Sequence, residues 1–310
     1  MVNVAVVGAG FIGRAWAIVF ARAGYAVRLT DIDPAALEVA SNAIRQGLDE
    51  LAAHGLLDNP ADVASRVELV PDLRSALAGA ELVQENGPET VEFKAGIFAQ
   101  LDRLGAPGAI LATSSSSIAV SRFASELPGR SRCLVAHPVN PPHLVPLVKL
   151  CGATWTDPAV IERARNLYAA AGQVPVILKK EIEGFVLNRL QGALLSEALR
   201  MVEDGIVSPE DVDKTVRDGL GLRWSFMGPF ETIDLNAPGG IEDYLQRYGG
   251  FYARIADDSP SESVWGAEKL RAVTRAWGNT SSAEHRAERS AWRDRRLASL
   301  IAHRRAMENN

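Results

Sequence analysis

The sequence predicts an α/β protein in which a doubly wound parallel sheet, with helices on both faces, is followed by an all-α region. Three observations carry that expectation. Short apolar runs alternate with helical stretches up to residue 182, a glycine cluster sits where the first run meets the first helix, and after Glu183 only helical periodicity remains. The 310 residues exceed the roughly 250 to 300 at which single cores stop growing, so two domains are expected, residues 1–182 and 183–310.

Val4 to Val7 is a continuous apolar run bounded by glycine, as in a strand buried on both faces of a parallel sheet. Gly8, Gly10 and Gly13 follow in a GxGxxG pattern. Arg14 to Ala23 then places Trp16, Val19 and Phe20 on one helical face and stops at Gly24. Tyr25 to Thr30 reads as a second strand ending at Asp31, eighteen residues beyond Gly13. Strand, glycine turn, helix, strand and acid in this order form a dinucleotide-binding fingerprint of the Rossmann type. Gly8 permits the tight turn, Gly10 lets backbone approach a pyrophosphate, and Gly13 lets the helix pack close. Phe11 and Ile12 complete the phosphate-binding turn. Asp31 would accept hydrogen bonds from ribose hydroxyls and repel a 2′-phosphate, which favours NAD over NADP.

The alternation continues. Residues 35 to 66 form a helical excursion broken at Asn59-Pro60, and Val67 to Val70 is a strand. Leu73 to Leu77 is helical, Ala80 to Glu85 a strand, Val91 to Leu101 a helix, and Ala109 to Thr113 and Cys133 to Ala136 are strands. Ligands of such sheets bind beyond the carboxyl ends of the strands. This makes Glu85, Asn86, Ser114 to Ser117 and His137 site candidates. In the second region Val186, Leu187, Leu190, Leu194, Ala198, Met201 and Val202 recur at helical spacing. Ser208-Pro209-Glu210-Asp211 starts another helix, residues 219–224 read as a break, and Pro229 to Tyr248 is helical again. The apolar faces suit core and a homodimer interface, and the Arg-rich stretch from Arg286 to Arg305 suits a solvated helix face.

Composition narrows the partners. With 47% hydrophobic residues the chain is neither disordered nor collagenous, and a formal charge of −5 gives no general attraction to nucleic acid or acidic membranes. There is no run of eighteen uncharged apolar residues to span a membrane and no basic leader before Val4. Cys133 and Cys151 lie in apolar surroundings, as buried thiols do in a reducing cytoplasm. No metal is expected.

The stretches GAGFIGRAWA (8–17), QENGPETVEFKAGIFAQLD (84–102), ATSSSSIAVSRF (112–123) and VAHPVNPPHLVPLVKL (135–150) resemble the 3-hydroxyacyl-CoA dehydrogenase superfamily, in its lambda-crystallin or L-gulonate 3-dehydrogenase branch. So do the segments spanning 181–213 and 219–232, and Ser290 to Asp294 near the end. The resemblance implies an NAD-dependent dehydrogenase acting on a hydroxy or keto acid. In it His137 is the general base that takes the hydroxyl proton, a task suited to an imidazole with its near-neutral pKa. Ser116 and Asn188 resemble the residues that hydrogen-bond the reacting oxygen. Glu89, Lys94 and Asn140 match positions lining the cofactor, and Arg223 stands where a guanidinium could clamp a substrate carboxylate.

One position departs from the pattern. Twelve residues after the histidine the family has a glutamate that pairs with the imidazole; here the strand Pro146 to Leu150 carries Lys149. At about 4 Å and an effective dielectric near 20, a unit charge pair is worth roughly 4 kcal/mol, or about three pKa units, and the sign disfavours a protonated His137. Three roles fit the lysine. It points into solvent while Glu183 or Glu85 serves His137, it binds a substrate carboxylate, or it marks impaired catalysis. An imine substrate has its own difficulty, since an ammonium repels the iminium. Residues 35 to 66 hold no lysine and only Arg45 and Arg66, which favours a small L-gulonate-like or 3-hydroxybutyrate-like acid over an acyl-CoA. A 3-hydroxyacyl-CoA dehydrogenase, and a cofactor-binding protein with a crystallin-like structural role, stand as the alternatives.

Overall fold

The computed structural model describes residues 1–258, 262–266, 270–277 and 282–308. Two compact units result, one of residues 1–186 with 287–310 and one of residues 187–286. The first contains an eight-stranded sheet in the order β3-β2-β1-β4-β5-β6-β7-β8. Its strands are β1 (Asn3–Val7), β2 (Ala26–Thr30), β3 (Val67–Leu69), β4 (Leu82–Glu85), β5 (Ile110–Thr113), β6 (Cys133–Pro138), β7 (Leu147–Gly152) and β8 (Val174–Leu178). The first six are parallel, with the order reversing between β1 and β4 as expected of a doubly wound sheet.

The sheet is not parallel throughout. β7 pairs antiparallel with β6, and β8 runs parallel to β7. The cause is the link between them: Val139 to Pro146 is too short for a crossover, which needs a dozen or more residues. In this register His137 lies directly opposite Lys149.

The helices of the first unit start on side-chain caps. In α2 (Pro34–Ala53) Asp33 accepts from the Ala35 N–H, in α5 (Val91–Leu104) Thr90 accepts from Phe93, and α3 (Pro60–Ala64) and α4 (Leu73–Leu77) are capped by Asn59 and Asp72. α1 (Phe11–Arg22) is the exception, with Gly10 at its N-cap and no side-chain cap. Beyond the expected elements, residues 158–178 add α6 (Pro158–Ala170) and β8. On one face of the sheet Trp16 stacks on Phe20 at 5.2 Å and meets Tyr168 of α6 at 5.4 Å; on the other, Phe98 meets Phe123 edge-on at 4.8 Å. A buried polar network ties α1, α6 and the strand ends together. The Tyr168 hydroxyl donates to Gln84, Gln84 and the Trp16 indole donate to Ser114, and Ser114 donates to Asn86.

α7 (Phe185–Glu203) leads into the second unit, followed by α8 (Pro209–Lys214), α9 (Gly221–Trp224), α10 (Pro229–Asp234), α11 (Gly240–Asp257) and α12 (Arg271–Trp277). The break expected at 219–224 does not occur. A π-helical segment, Thr215–Leu220, carries α8 into α9, and Gly221 allows it because a Cβ there would lie 2.9 Å from the Val216 carbonyl oxygen. The terminal helix α13 (Ala283–Glu308) corrects a second expectation, since residues 287–310 belong to the first unit and not to the helical region. Ala298 is buried in the first unit's core, with Leu297, Ile301 and Ala302 packed against it. That stripe is narrow, and the surrounding arginines hide it in the sequence.

Candidate active site

The glycine turn follows from its sequence. Gly8 has φ 97° and its amide donates to the Thr30 carbonyl, so β1 turns sharply at its end. A Cβ on Gly13 would lie 1.8 Å from the Gly8 carbonyl oxygen, whereas one on Gly10 would meet nothing within 4 Å. Gly13 therefore sets the approach of helix to turn, and Gly10 leaves open space at the uncapped N-terminus of α1, whose first turn carries no acid. Phe11 is exposed there and Ile12 half-buried. The Asp31 carboxylate accepts from the Ala9 N–H at 2.6 Å and the Asp33 N–H at 2.9 Å. It borders a cleft of about 570 Å³ walled by Ile32, Pro71, Leu73, Phe93 and Ile97. An open cradle at a helix N-terminus, beside an apolar cleft with one carboxylate, fits a dinucleotide.

Further along the strand ends, Lys94 is buried and donates to both Glu85 carboxylate oxygens, at 2.8 and 3.0 Å, and to the Gly87 carbonyl; Thr113 also donates to Glu85. Lys94 thus braces the turn after β4. The serine run is occupied too. Glu89 accepts from the Ser116 and Ser117 amides at 2.9 and 3.0 Å and from the Ser115 hydroxyl at 2.6 Å, so Glu89 and Ser116 form one structure. Partial burial pushes the Glu89 carboxyl up, but these hydrogen bonds and the Lys94 charge hold it below its usual range. Asn140 is exposed in the loop after β6.

His137 is half-buried near the end of β6, with the Phe185 ring 5.9 Å from its own. Its Nδ1 is buried and has no hydrogen-bond partner among the described residues. Lys149 does not point into solvent, as the first of its three roles required; it is 0% exposed and its Nζ donates to the Pro138 carbonyl at 3.0 Å. Burial, reinforced by the Lys149 charge and opposed by Glu89, pushes His137 down to about 4. Burial alone pushes Lys149 down to about 8. Neither expected substitute acid reaches the ring by hydrogen bond: Glu85 is committed to Lys94 and Thr113, and Glu183 is exposed. Asn188 on α7 and Arg223 on α9 are exposed residues of the second unit.

Phe185 escaped sequence reasoning. It holds φ 48°, in the left-handed region unusual for a bulky residue, directly after Gly184 at φ 75°. Gly184 was the only local signal, and a glycine before a helix does not say that the next ring will turn onto a histidine.

A dinucleotide cradle with a histidine and serines at the adjoining strand ends defines an NAD-dependent dehydrogenase acting on CH–OH groups. The family model "3-hydroxyacyl-CoA dehydrogenase, NAD binding domain" matches residues 3–182, and the corresponding C-terminal domain matches residues 184–272. The chain belongs to the 3-hydroxyacyl-CoA dehydrogenase family. It is 44% identical to a lambda-crystallin homolog of Bos taurus over 307 residues, 96% of this chain and 95% of the relative. It is 36% identical to an L-carnitine dehydrogenase of Streptomyces griseus, over 80% of this chain and 73% of that one. Among solved structures, 5-formyl-3-hydroxy-2-methylpyridine 4-carboxylic acid 5-dehydrogenase, an NAD+-dependent dismutase, superposes with a TM-score of 0.85 at 29% identity, covering 98% of this chain and 99% of that one.

Proposed function

We propose that this dehydrogenase interconverts a small 3-hydroxy acid and its 3-keto acid, with His137 exchanging the hydroxyl proton and Lys149 replacing the acid that would partner it. NAD, when bound, supplies the hydride acceptor. Gly8, Gly10, Phe11, Ile12 and Gly13 would cradle its phosphates, Asp31 its ribose, and Glu89, Lys94 and Asn140 its nicotinamide end. Ser116 and Asn188 are assigned to the reacting oxygen and Arg223 to the substrate carboxylate. Because Nδ1 of His137 is buried, Nε2 is the atom left to meet substrate.

The observation that carries the choice of a free acid is the poverty of cations within residues 35–66, the segment that forms α2 and α3. Of the two arginines in it, Arg66 is already bound to Asp62 and the Ala21 carbonyl, which leaves Arg45 as that segment's own cation for the phosphates of coenzyme A. NADH formation measured with L-gulonate, 3-hydroxybutyrate, L-carnitine and 3-hydroxybutyryl-CoA tests this. A free acid should give the highest kcat/KM, and faster turnover of the thioester would refute it. The alternative, a cofactor-binding protein with little turnover, is favoured specifically by Lys149 and would appear as NAD binding without NADH formation from any of the four.

The chain is further proposed to work as a cytoplasmic homodimer. Leu190, Leu245 and Phe251, at 63, 54 and 50% exposure, leave broad apolar surface on α7 and α11, and two buried free thiols suit a reducing compartment. Light scattering that returned a monomer mass would remove the dimer.

A further inference from the structure

We propose that Lys149 and His137 form a proton relay in which the ring stays neutral and the lysine, acting through the ring, is the group that ionises. The proposal rests on the placement of His137 at the reacting oxygen, and its first test does not need a substrate.

Four observations converge. His137 and Lys149 are directly opposed across the antiparallel β6–β7 pair, so both side chains project from the same face with Cβ atoms about 5 Å apart. Lys149 is fully buried, and its ammonium rests on the carbonyl of Pro138, the residue next to the histidine. The Nδ1 of His137 is buried without a hydrogen-bond partner among the described residues. The acids nearby are engaged elsewhere, Glu85 by Lys94 and Glu89 by the serine run. The charged groups acting on the ring are thus Lys149 from β7 and, with opposite sign, Glu89 from the loop before α5, while α7 contributes the uncharged Phe185.

An N–H at Nδ1 would be buried with no acceptor and would add to the positive charge of Lys149, whereas an unprotonated Nδ1 is favoured by that charge. While Lys149 is charged, the ring proton therefore belongs on Nε2. A family carboxylate at position 149 would impose the opposite tautomer. When Lys149 is a neutral amine the preference reverses, because the amine can then accept from Nδ1–H and Nε2 is left as the base.

The chemistry balances. In alcohol oxidation the substrate O–H bond breaks and its proton passes to Nε2, the Nδ1 proton passes to Lys149 Nζ, and the C–H bond electrons leave as hydride to NAD+. The products are a ketone, NADH, a Lys149 ammonium and a ring protonated on Nε2. Reduction runs through the same atoms in reverse, and no imidazolium forms in either direction. The charged lysine thus marks the carbonyl-reducing form and the neutral lysine the alcohol-oxidising form.

Nitrogen-15 NMR of histidine-labelled protein reports the tautomer directly, with the His137 signals identified by their loss in His137→Asn. The expected result is Nε2–H near pH 7, moving to Nδ1–H as pH rises past 8, with that change absent in Lys149→Met. Lys149→Arg keeps the charge but does not deprotonate, and should hold Nε2–H at every pH. It also covers the case in which Lys149→Met does not fold. In turnover with whichever hydroxy acid reacts, oxidation should rise about tenfold per pH unit up to Lys149's ionisation and level off above it, whereas reduction should be level below that ionisation and fall about tenfold per pH unit above it. A wild-type ring in the Nδ1–H form at pH 7, or the same tautomer pattern in wild type and Lys149→Arg across the range, would overturn the relay. Absence of turnover with the acids tested, alongside the expected tautomer change, would refute only the substrate assignment.

Discussion

Replacing Lys149 with methionine should stabilise the protein at neutral pH. The lysine is 0% exposed, and burial lowers its pKa from 10.5 to about 8. That difference represents about 3 kcal/mol of unfavourable free energy whenever the group is charged in the folded state. Methionine fills similar space without a charge but loses the hydrogen bond to the Pro138 carbonyl, worth about 1 kcal/mol. The net expectation is a gain of about 2 kcal/mol at pH 7, or a rise in Tm of about 5 °C for the first unit's transition. The sign of the pH dependence follows from linkage. A lysine whose folded pKa is depressed binds fewer protons folded than unfolded between pH 8 and 10.5, so the wild type gains stability with rising pH over that window. The variant's advantage should therefore be full below pH 8 and give way by pH 10.5 to a deficit of up to about 1 kcal/mol, where mainly the lost hydrogen bond remains. Thermal unfolding of both proteins from pH 7 to 10.5 measures it. A variant less stable than wild type at pH 7, or a difference that does not change with pH, would refute the account of a buried, destabilising ammonium.

Three further outcomes are expected. His137 and His143 are both pushed down to about 4, chiefly by burial, and by the charges of Lys149 for the first and of Arg22 and Arg293 for the second. Rings with depressed pKa values bind protons preferentially in the unfolded chain, so stability is full above pH 6.5 and falls towards pH 4. The loss at pH 5 should be at most about 2 kcal/mol per ring, and urea titrations of wild type and His143→Phe at pH 5 and 7 should show it diminished in the variant. Gly13→Ala should lower Tm sharply, since its Cβ has no room beside Gly8, whereas Gly10→Ala should keep Tm and weaken NAD binding, as calorimetry would record. Asp31→Ala should raise the KM for NAD by 10-fold or more and narrow the preference over NADP; an unchanged cofactor ratio would remove Asp31 from the ribose site.

The parts of the fold legible in the sequence are those with local causes. Val4 to Val7, the three glycines, the capped helix starts at Pro34, Val91 and Pro209, and the end of the strand pattern near residue 182 each depend on neighbouring residues. The direction of β7 was legible in principle from the length of the link after Pro138. The return of α13 to the first unit was not, because four small or aliphatic side chains among arginines give little periodic signal. The site divides in the same way. Asp31 and the glycine turn follow from spacing, but the occupation of the Ser116 loop by Glu89, the pairing of Lys94 with Glu85 and the position of Phe185 over His137 are contacts between segments far apart in sequence.

Lys149 shows why a departure from a family pattern needs both levels. The sequence identifies the charge reversal, but an exposed lysine on an edge strand would have carried no consequence for the imidazole. Burial changes that: a charge with no solvent around it acts on His137 through a low dielectric, and the same burial brings the lysine's own ionisation near the working range of an enzyme. A chain under selection for stability alone would place a methionine or leucine there, because an unpaired buried ammonium opposes folding. Its retention beside a half-buried histidine, an orphaned ring nitrogen and a backbone-strained phenylalanine concentrates unfavourable features within one site. Such concentrations accumulate where geometry serves chemistry and not folding. The hydrogen bond to Pro138 keeps the ammonium against the histidine's own strand, so the stability lost at position 149 and the proton-transfer role proposed for it trace to the same placement.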